Sequence, residues 1–213
     1  MTEVHREPNL ADAATRRSRA AIAGHQADEP TARAALHDPD PRVRATGLGA
    51  LARMGRLSPK DLDRALVDDE ATVRRRACEL SATRRPRVRP LSGLLARLHD
   101  DDAMVVETAA WALGELAGPT KRAEEVAEAL SPIATSHADP LAREAAVAAL
   151  GAIGHAAGRD AILAATRDKP AIRRRAVLAL APFDGPEVEA AIDAALADRD
   201  WQVRQAAEDL RRD

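Results

Sequence analysis

The 213-residue chain has a single cysteine, Cys78, no tyrosine, and only three aromatic side chains, Trp111, Phe183 and Trp201. One cysteine excludes an internal disulfide framework, and Cys78 reads as a small apolar residue on the core side of a helix in a reducing compartment. No apolar run approaches the ~18 residues of a membrane-spanning helix, and no basic segment followed by an apolar core opens the chain. Neither secretion nor membrane insertion is expected, and the localisation read from this is cytoplasmic. No stretch alternates with period two, so no sheet is expected. The motifs of common catalytic and metal centres are missing: there is no H-E-x-x-H, C-x-x-C, glycine-rich phosphate loop or G-x-S-x-G. His37 and His99 share one slot of a repeat and His137 lies close to it, a helix-end pattern rather than a metal site. No cofactor, no metal and no enzymatic activity are expected.

What the chain does have is repetition. Six segments share a pattern in which an acidic or turn-forming residue precedes a Val/Arg pair, with a small residue four positions after the Val. The anchor positions are Val43, Val73, Val105, Ala142, Ile172 and Val203, spaced by 30, 32, 37, 30 and 31 residues. A period in this range marks a solenoid, in which each unit buries its apolar face against its neighbours. Four after the anchor stand Gly47, Ala77, Ala109, Ala146, Ala176 and Ala207, small residues that let helices approach closely. Eight after it stand Leu51, Leu113, Leu150 and Leu180, with Ser81 and Arg211 departing. These positions share one face of an amphipathic helix. Asp40, Glu70, Asp102, Asp139 and Asp200 supply an acid three before the anchor, and Pro41, Pro140 and Pro170 follow at the first helical position. Such caps contribute ~0.5 to 2 kcal/mol each. Lys169 takes the acidic slot in the fifth copy and should weaken its cap.

Upstream of each of these helices runs a second apolar segment, marked by Leu36, Leu66, Leu98 and Leu196 seven before the anchor. Each repeat is therefore two antiparallel helices joined by short turns rich in Gly, Pro and Asp. The expected repeats span about 28–55, 58–84, 86–118, 120–154, 158–184 and 186–213. Residues 1–27 form an N-terminal cap or a degenerate copy, with Ser18 in the small slot and Ile22 in the leucine slot. Polar Glu208 and Arg211 on the last helix suit the end of an array.

The pattern D-P-x-x-x-V-R-x-x-A-x-x-A-L-G-x-x-G resembles the short HEAT-like repeat, also called the phycobilisome-lyase-type HEAT repeat, over residues 28–213. The aromatic signature of tetratricopeptide repeats and the T-P-L-H of ankyrin repeats are missing. The resemblance implies an all-α, right-handed α-solenoid of about six helix pairs with a capping N-terminal helix. It also implies that the +1 arginines, Arg44, Arg74, Arg143, Arg173 and Arg204, pair with neighbouring helix starts in a ladder that Val106 leaves. Function is not set by the family, which includes scaffolds, adaptors and a few enzymes or enzyme subunits.

Charge is unevenly distributed. Residues 1–99 carry 19 basic and 13 acidic side chains, residues 100–213 carry 13 and 21, and residues 71–97 hold eight arginines and one acid. If the family's curvature holds, the slots two, six and nine after each anchor line a concave surface. In mid-chain these slots give an apolar strip of Trp111, Ala148 and Leu178, with Gly114 and Gly151 beside it and Glu107, Glu144, Arg174 and Arg75 around it. A tryptophan among outward slots over small neighbours suits a binding surface, because tryptophan and arginine are enriched at hot spots. The expected function is that of a monomeric scaffold or adaptor that binds a protein or peptide along this surface. The alternative is a nucleic-acid binder using Arg75, Arg76, Arg84, Arg85, Arg87, Arg89, Arg174 and Arg175. Some HEAT-like DNA glycosylases cradle DNA with aromatic and acidic side chains, which the Glu107/Trp111 pair resembles, but three aromatics and an acidic balance count against it. A third reading, an accessory subunit of a lyase-type enzyme, rests on the resemblance alone.

Overall fold

Helix starts in this chain are built by short polar turns. Asp40, at the N-cap of the helix Pro41–Arg53, accepts the N–H of Arg42 at 2.8 Å, and Asp139 accepts that of Leu141 at 2.7 Å. Asp102 and Asp200 cap their helices in the same way. Asp40 is held well below the usual carboxylate range, at about 2, first by the Arg42 side chain and also by the capped backbone. Ser58 and Asp61 form a reciprocal capping box. Lys169 makes no side-chain cap, as its side chain has no acceptor to offer, and the helix it opens is only ten residues long.

A computed structural model, which describes residues 10–83, 91–116 and 121–212, has thirteen α-helices and no strand among those residues. The residues group into two compact units, Met1–Pro90 and Leu91–Asp213. The first holds α1 (Leu10–Gln26), α2 (Glu29–Ala35), α3 (Pro41–Arg53), α4 (Pro59–Leu66) and α5 (Ala71–Thr83). The second holds α6 (Leu91–Arg97), α7 (Ala103–Leu116), α8 (Ala123–Ser136), α9 (Pro140–Ile153), α10 (Arg159–Ala165), α11 (Pro170–Ala179), α12 (Pro186–Leu196) and α13 (Trp201–Arg212). Within the first unit α1, α3 and α5 pack side by side; within the second, α7, α9, α11 and α13 do so. The even-numbered helices α2, α4, α6, α8, α10 and α12 each pack on the odd-numbered helix that follows. The protein is an all-α solenoid.

The repeat columns are the core. All the anchors are buried, and Ala77, Ala109, Ala146, Ala176 and Ala207 are fully buried four residues on. Gly47 shows why the column is small: a Cβ there would lie 2.9 Å from that of Ala35 on α2. Leu51, Leu113, Leu150 and Leu180 are fully buried eight after the anchor, and Ser81 is tolerated in that slot because its hydroxyl donates to the Ala77 carbonyl at 2.7 Å. Arg211 instead stays exposed and pairs with Glu189 and Asp193. Replacing Ala146 by leucine is expected to cost about 1 to 3 kcal/mol through overpacking. Glu144→Leu, on the outer side of the same helix, should change stability by less than about 1 kcal/mol. Urea midpoints check this, and equal shifts would mean the faces are misassigned.

Two features differ from the column reading. In α1 the buried residues are Ala13, Ala20, Ala23 and Gly24, while Ser18 is exposed and Ile22 is 51% exposed. The helix is one residue out of the expected register, because Arg16 must reach Asp38 and Gly24 must meet Ala50, where a Cβ would come within 2.9 Å of Cα. The slot nine after the anchor is not freely outward at its two glycines either. A Cβ on Gly114 would lie 2.9 Å from Cα of Ala149, and one on Gly151 2.7 Å from Cα of Ala179. These glycines are where α7 meets α9 and α9 meets α11, so each sits against the neighbouring backbone with no room for a side chain.

An arginine ladder joins successive repeats. Arg44 donates from Nε and Nη2 to Asp68 at 2.9 and 2.6 Å and from Nη1 to the Asp38 carbonyl at 2.9 Å. Arg143 reaches Asp168 at 2.7 and 3.0 Å, and Arg173 reaches Asp198 at 2.8 and 2.7 Å. Arg16, not anticipated, makes the same rung to Asp38 at 2.6 and 3.0 Å. Asp38, Asp168 and Asp198 are all held below the usual carboxylate range, chiefly by the hydrogen bonds from their arginines. Arg74 and Arg204 donate to carbonyls of their own turns. Between α7 and α9 both halves of the rung are changed together. Val106 is fully buried in the arginine slot, and His137 occupies the position of the receiving aspartate. His137 Nδ1 still accepts the N–H of Asp139 at 3.1 Å, as Asp38, Asp68 and Asp198 accept from Asp40, Glu70 and Asp200. The histidine keeps the turn and gives up the ion pair.

Candidate functional site

The rungless junction carries the most distinctive surface of the second unit. On α7, Glu107, Trp111 and Glu115 follow one another at four-residue spacing, which places them along one helix face. On α9, Leu141, Glu144, Ala145, Ala148 and Ala152 present a facing strip, and Arg175 of α11 closes one side. Together they line a cavity of about 360 Å³ between α7 and α9. Its floor is low because Gly114 and Ala149 bring the two backbones close together. Trp111 lines this groove yet remains 42% exposed, so its ring is neither free in solvent nor closed into the core. Leu141, at the start of α9, is also exposed.

Of the residues expected on the binding surface, Glu107, Trp111, Glu144 and Ala148 come together here. Leu178 is 38% exposed on α11 but does not line the groove, and Arg174 is exposed on the same helix. Arg75 belongs to the first unit, where it pairs with Glu79 at 3.7 Å. Among the alternative nucleic-acid residues, Arg76 donates to the same Glu79 at 2.8 Å, and Arg175 stands 3.7 Å from Glu144. Arg84, Arg85, Arg87 and Arg89 lie outside the described residues. The column reading missed Leu141, Ala145, Glu115 and Ala152, which stand one before, three after and ten after their anchors. A signal was present in the first of these columns, which runs Arg42, Thr72, Met104, Leu141, Ala171, Gln202 and turns apolar in the third copy.

Among the described residues no group of His, Cys, Asp or Glu is arranged to hold a metal ion, and no helix is long and apolar enough to cross a membrane. Cys78 is buried and takes part in no disulfide. A second cavity, of about 270 Å³, lies in the first unit among Arg33, His37, Arg44, Lys60, Asp61 and Arg64, with Arg33 and Arg44 committed to Asp61 and Asp68.

Comparison with known proteins agrees with this architecture. Models of HEAT repeats match residues 127–211 and 91–118. A designed armadillo repeat protein in complex with the peptide (KR)4 superposes with a TM-score of 0.64 at 19% identity, covering 86% of this chain and 98% of that one. An engineered protein superposes with a TM-score of 0.66 at 20% identity, covering 86% and 96%. YIBA of Escherichia coli gives 0.65 at 15% identity, covering 97% and 75%. No curated protein matches the chain significantly. Repeat columns, helix pairs and matched models agree: residues 91–118 and 127–211 are HEAT repeats, and the chain has the solenoid fold that designed armadillo repeat proteins share.

Proposed function

We propose that this protein is a binding scaffold that takes a protein or peptide segment along the groove between α7 and α9. The observation that carries the reading is Trp111, a large ring left partly exposed over a floor of glycine and alanine. Exposed tryptophans beside small residues are typical anchors of interfaces, since an incoming side chain covers the ring and displaces water from both surfaces. The groove runs along α7 from Glu107 to Glu115, a helical distance of ~12 Å. That length accommodates roughly four residues of extended chain at ~3.3 Å each. A solenoid of the same class, the designed armadillo repeat protein noted above, holds a peptide, which supports a peptide as the kind of ligand such a fold accepts. The arginine ridge supports the nucleic-acid alternative less well, because Arg75 and Arg76 face Glu79.

Selecting peptides from a displayed random library against the protein, then measuring their affinity for Trp111→Ala, tests the reading. The variant is expected to keep its circular dichroism and urea midpoint while losing about 2 kcal/mol or more of binding, roughly thirtyfold. Peptides that bind the variant equally well would place the site elsewhere, and a variant that unfolds would assign Trp111 to packing.

A further inference from the structure

Resting on that reading, we infer that the α7/α9 groove recognises a positively charged residue of its peptide partner, an arginine or lysine laid over Trp111 between Glu107, Glu115 and Glu144. The ring and the carboxylates are placed together by helix geometry. Glu107 stands one turn before Trp111 and Glu115 one turn after it, and Glu144 faces them from α9. A cation over the face of an indole is attracted by the ring quadrupole, and flanking carboxylates add to that attraction.

The groove's own charges leave this position unfilled. Arg175 is the one basic side chain among the described residues lining the groove, and its Nε stands 3.7 Å from Glu144 Oε1, beyond hydrogen-bonding distance. Both side chains keep solvent contact, Arg175 at 41% and Glu144 at 29%. By contrast, the ladder arginines approach their aspartates to 2.6 or 2.7 Å. Neither Glu107 nor Glu115 is held in an ion pair among the described residues. The ladder also contributes no cation here, because the residue next to Glu107 is the buried Val106. The aliphatic stem of an arginine or lysine matches the rest of the lining, Leu141, Ala145 and Ala148, while its charged end reaches the acids.

Trp111 itself is the reporter. In a Trp201→Phe background its emission is titrated with the peptide (KR)4 and with an uncharged analogue of the same length, citrulline replacing arginine and acetyl-lysine replacing lysine, at about 150 mM salt. A saturable response is expected, with affinity for the charged peptide at least about tenfold above that for the analogue. Glu107→Gln with Glu144→Gln should weaken the charged peptide about fivefold or more. Glu124→Gln with Glu128→Gln, the same charge loss on exposed positions of α8, should weaken it less than about twofold. Equal losses from the two double variants would reduce the effect to diffuse charge and overturn the inference. So would the absence of a saturable response, or equal affinity for the analogue. In that last case the scaffold reading still stands, since it depends on the Trp111→Ala result with selected peptides and not on their charge.

Discussion

Arg173→Ala is expected to cost about 3 kcal/mol of stability, and Arg204→Ala about 1 kcal/mol, although the two arginines occupy the same column. The difference lies in what each holds. Arg173 is buried and makes two hydrogen bonds to the Asp198 carboxylate across the α11/α13 junction, with a third to the Asp168 carbonyl at 2.9 Å. Its removal leaves Asp198 half-enclosed with only the Asp200 N–H at 2.8 Å. Arg204 reaches only the carbonyls of Asp198 and Arg199, both in its own turn. Arg173→Lys should fall between, because an ammonium cannot reproduce the two parallel bonds of the guanidinium. The ladder also makes acid sensitivity predictable. Asp38, Asp168 and Asp198 bind protons less readily folded than unfolded, so the unfolded chain takes up protons first as pH falls. Their contribution is fully present above the unfolded carboxylate value of about 4 and is lost as pH drops through the lower folded values. Urea midpoints should therefore be level from about pH 8 to 5 and fall below about pH 4, less steeply in Asp198→Asn. A midpoint insensitive to acid would remove the ladder from the stability account.

Gly151→Val should be the most damaging single change on α9, at about 3 kcal/mol. Glycine in a helix interior ordinarily costs ~0.5 to 1 kcal/mol relative to alanine, so its presence needs a compensating contact. That contact is Ala179, whose Cβ would stand 2.6 Å and Cα 2.7 Å from any Cβ at position 151. Real side chains do not approach that closely, so α9 and α11 would have to separate, and the contacts around Ala176 and Leu180 would loosen with them. Ala152→Val, one residue along on an exposed position, is the control and should cost less than about 1 kcal/mol. Chemical denaturation compares the two directly, and similar midpoints would mean that the helices can be spread at little cost.

The repeat period, the caps and the column of small residues were legible because each is local or recurs at a fixed interval. A helix that packs on one partner writes one apolar stripe, and that stripe was read correctly at Val105, Ala109 and Leu113. The odd-numbered helices pack on two kinds of partner, however, and their second stripe consists of glycine and alanine, which hydrophobic periodicity does not register. That is why Gly114 and Gly151 were placed outward and why Ala145 and Ala152 were not seen as groove lining. The register of α1 depended on Asp38, 22 residues beyond Arg16, a distance over which no local pattern carries information. Trp111 was legible as an outward residue from its slot, but its partner strip on α9 required the packing of the two helices.

The paired change of Val106 and His137 has a further consequence. Salt and acid loosen the rungs at Arg143 and Arg173, but the α7/α9 junction is closed by apolar contact that neither condition weakens. A cationic partner of the kind inferred above would compete in the groove only with the loose Arg175–Glu144 pair and not with a rung of the ladder. Docking and release would then be tuned by the carboxylates at the rim without changing the spacing of the helices that carry them. On the inference drawn above, recognition and cohesion at this junction would use different forces, so selection could alter one without unsettling the other.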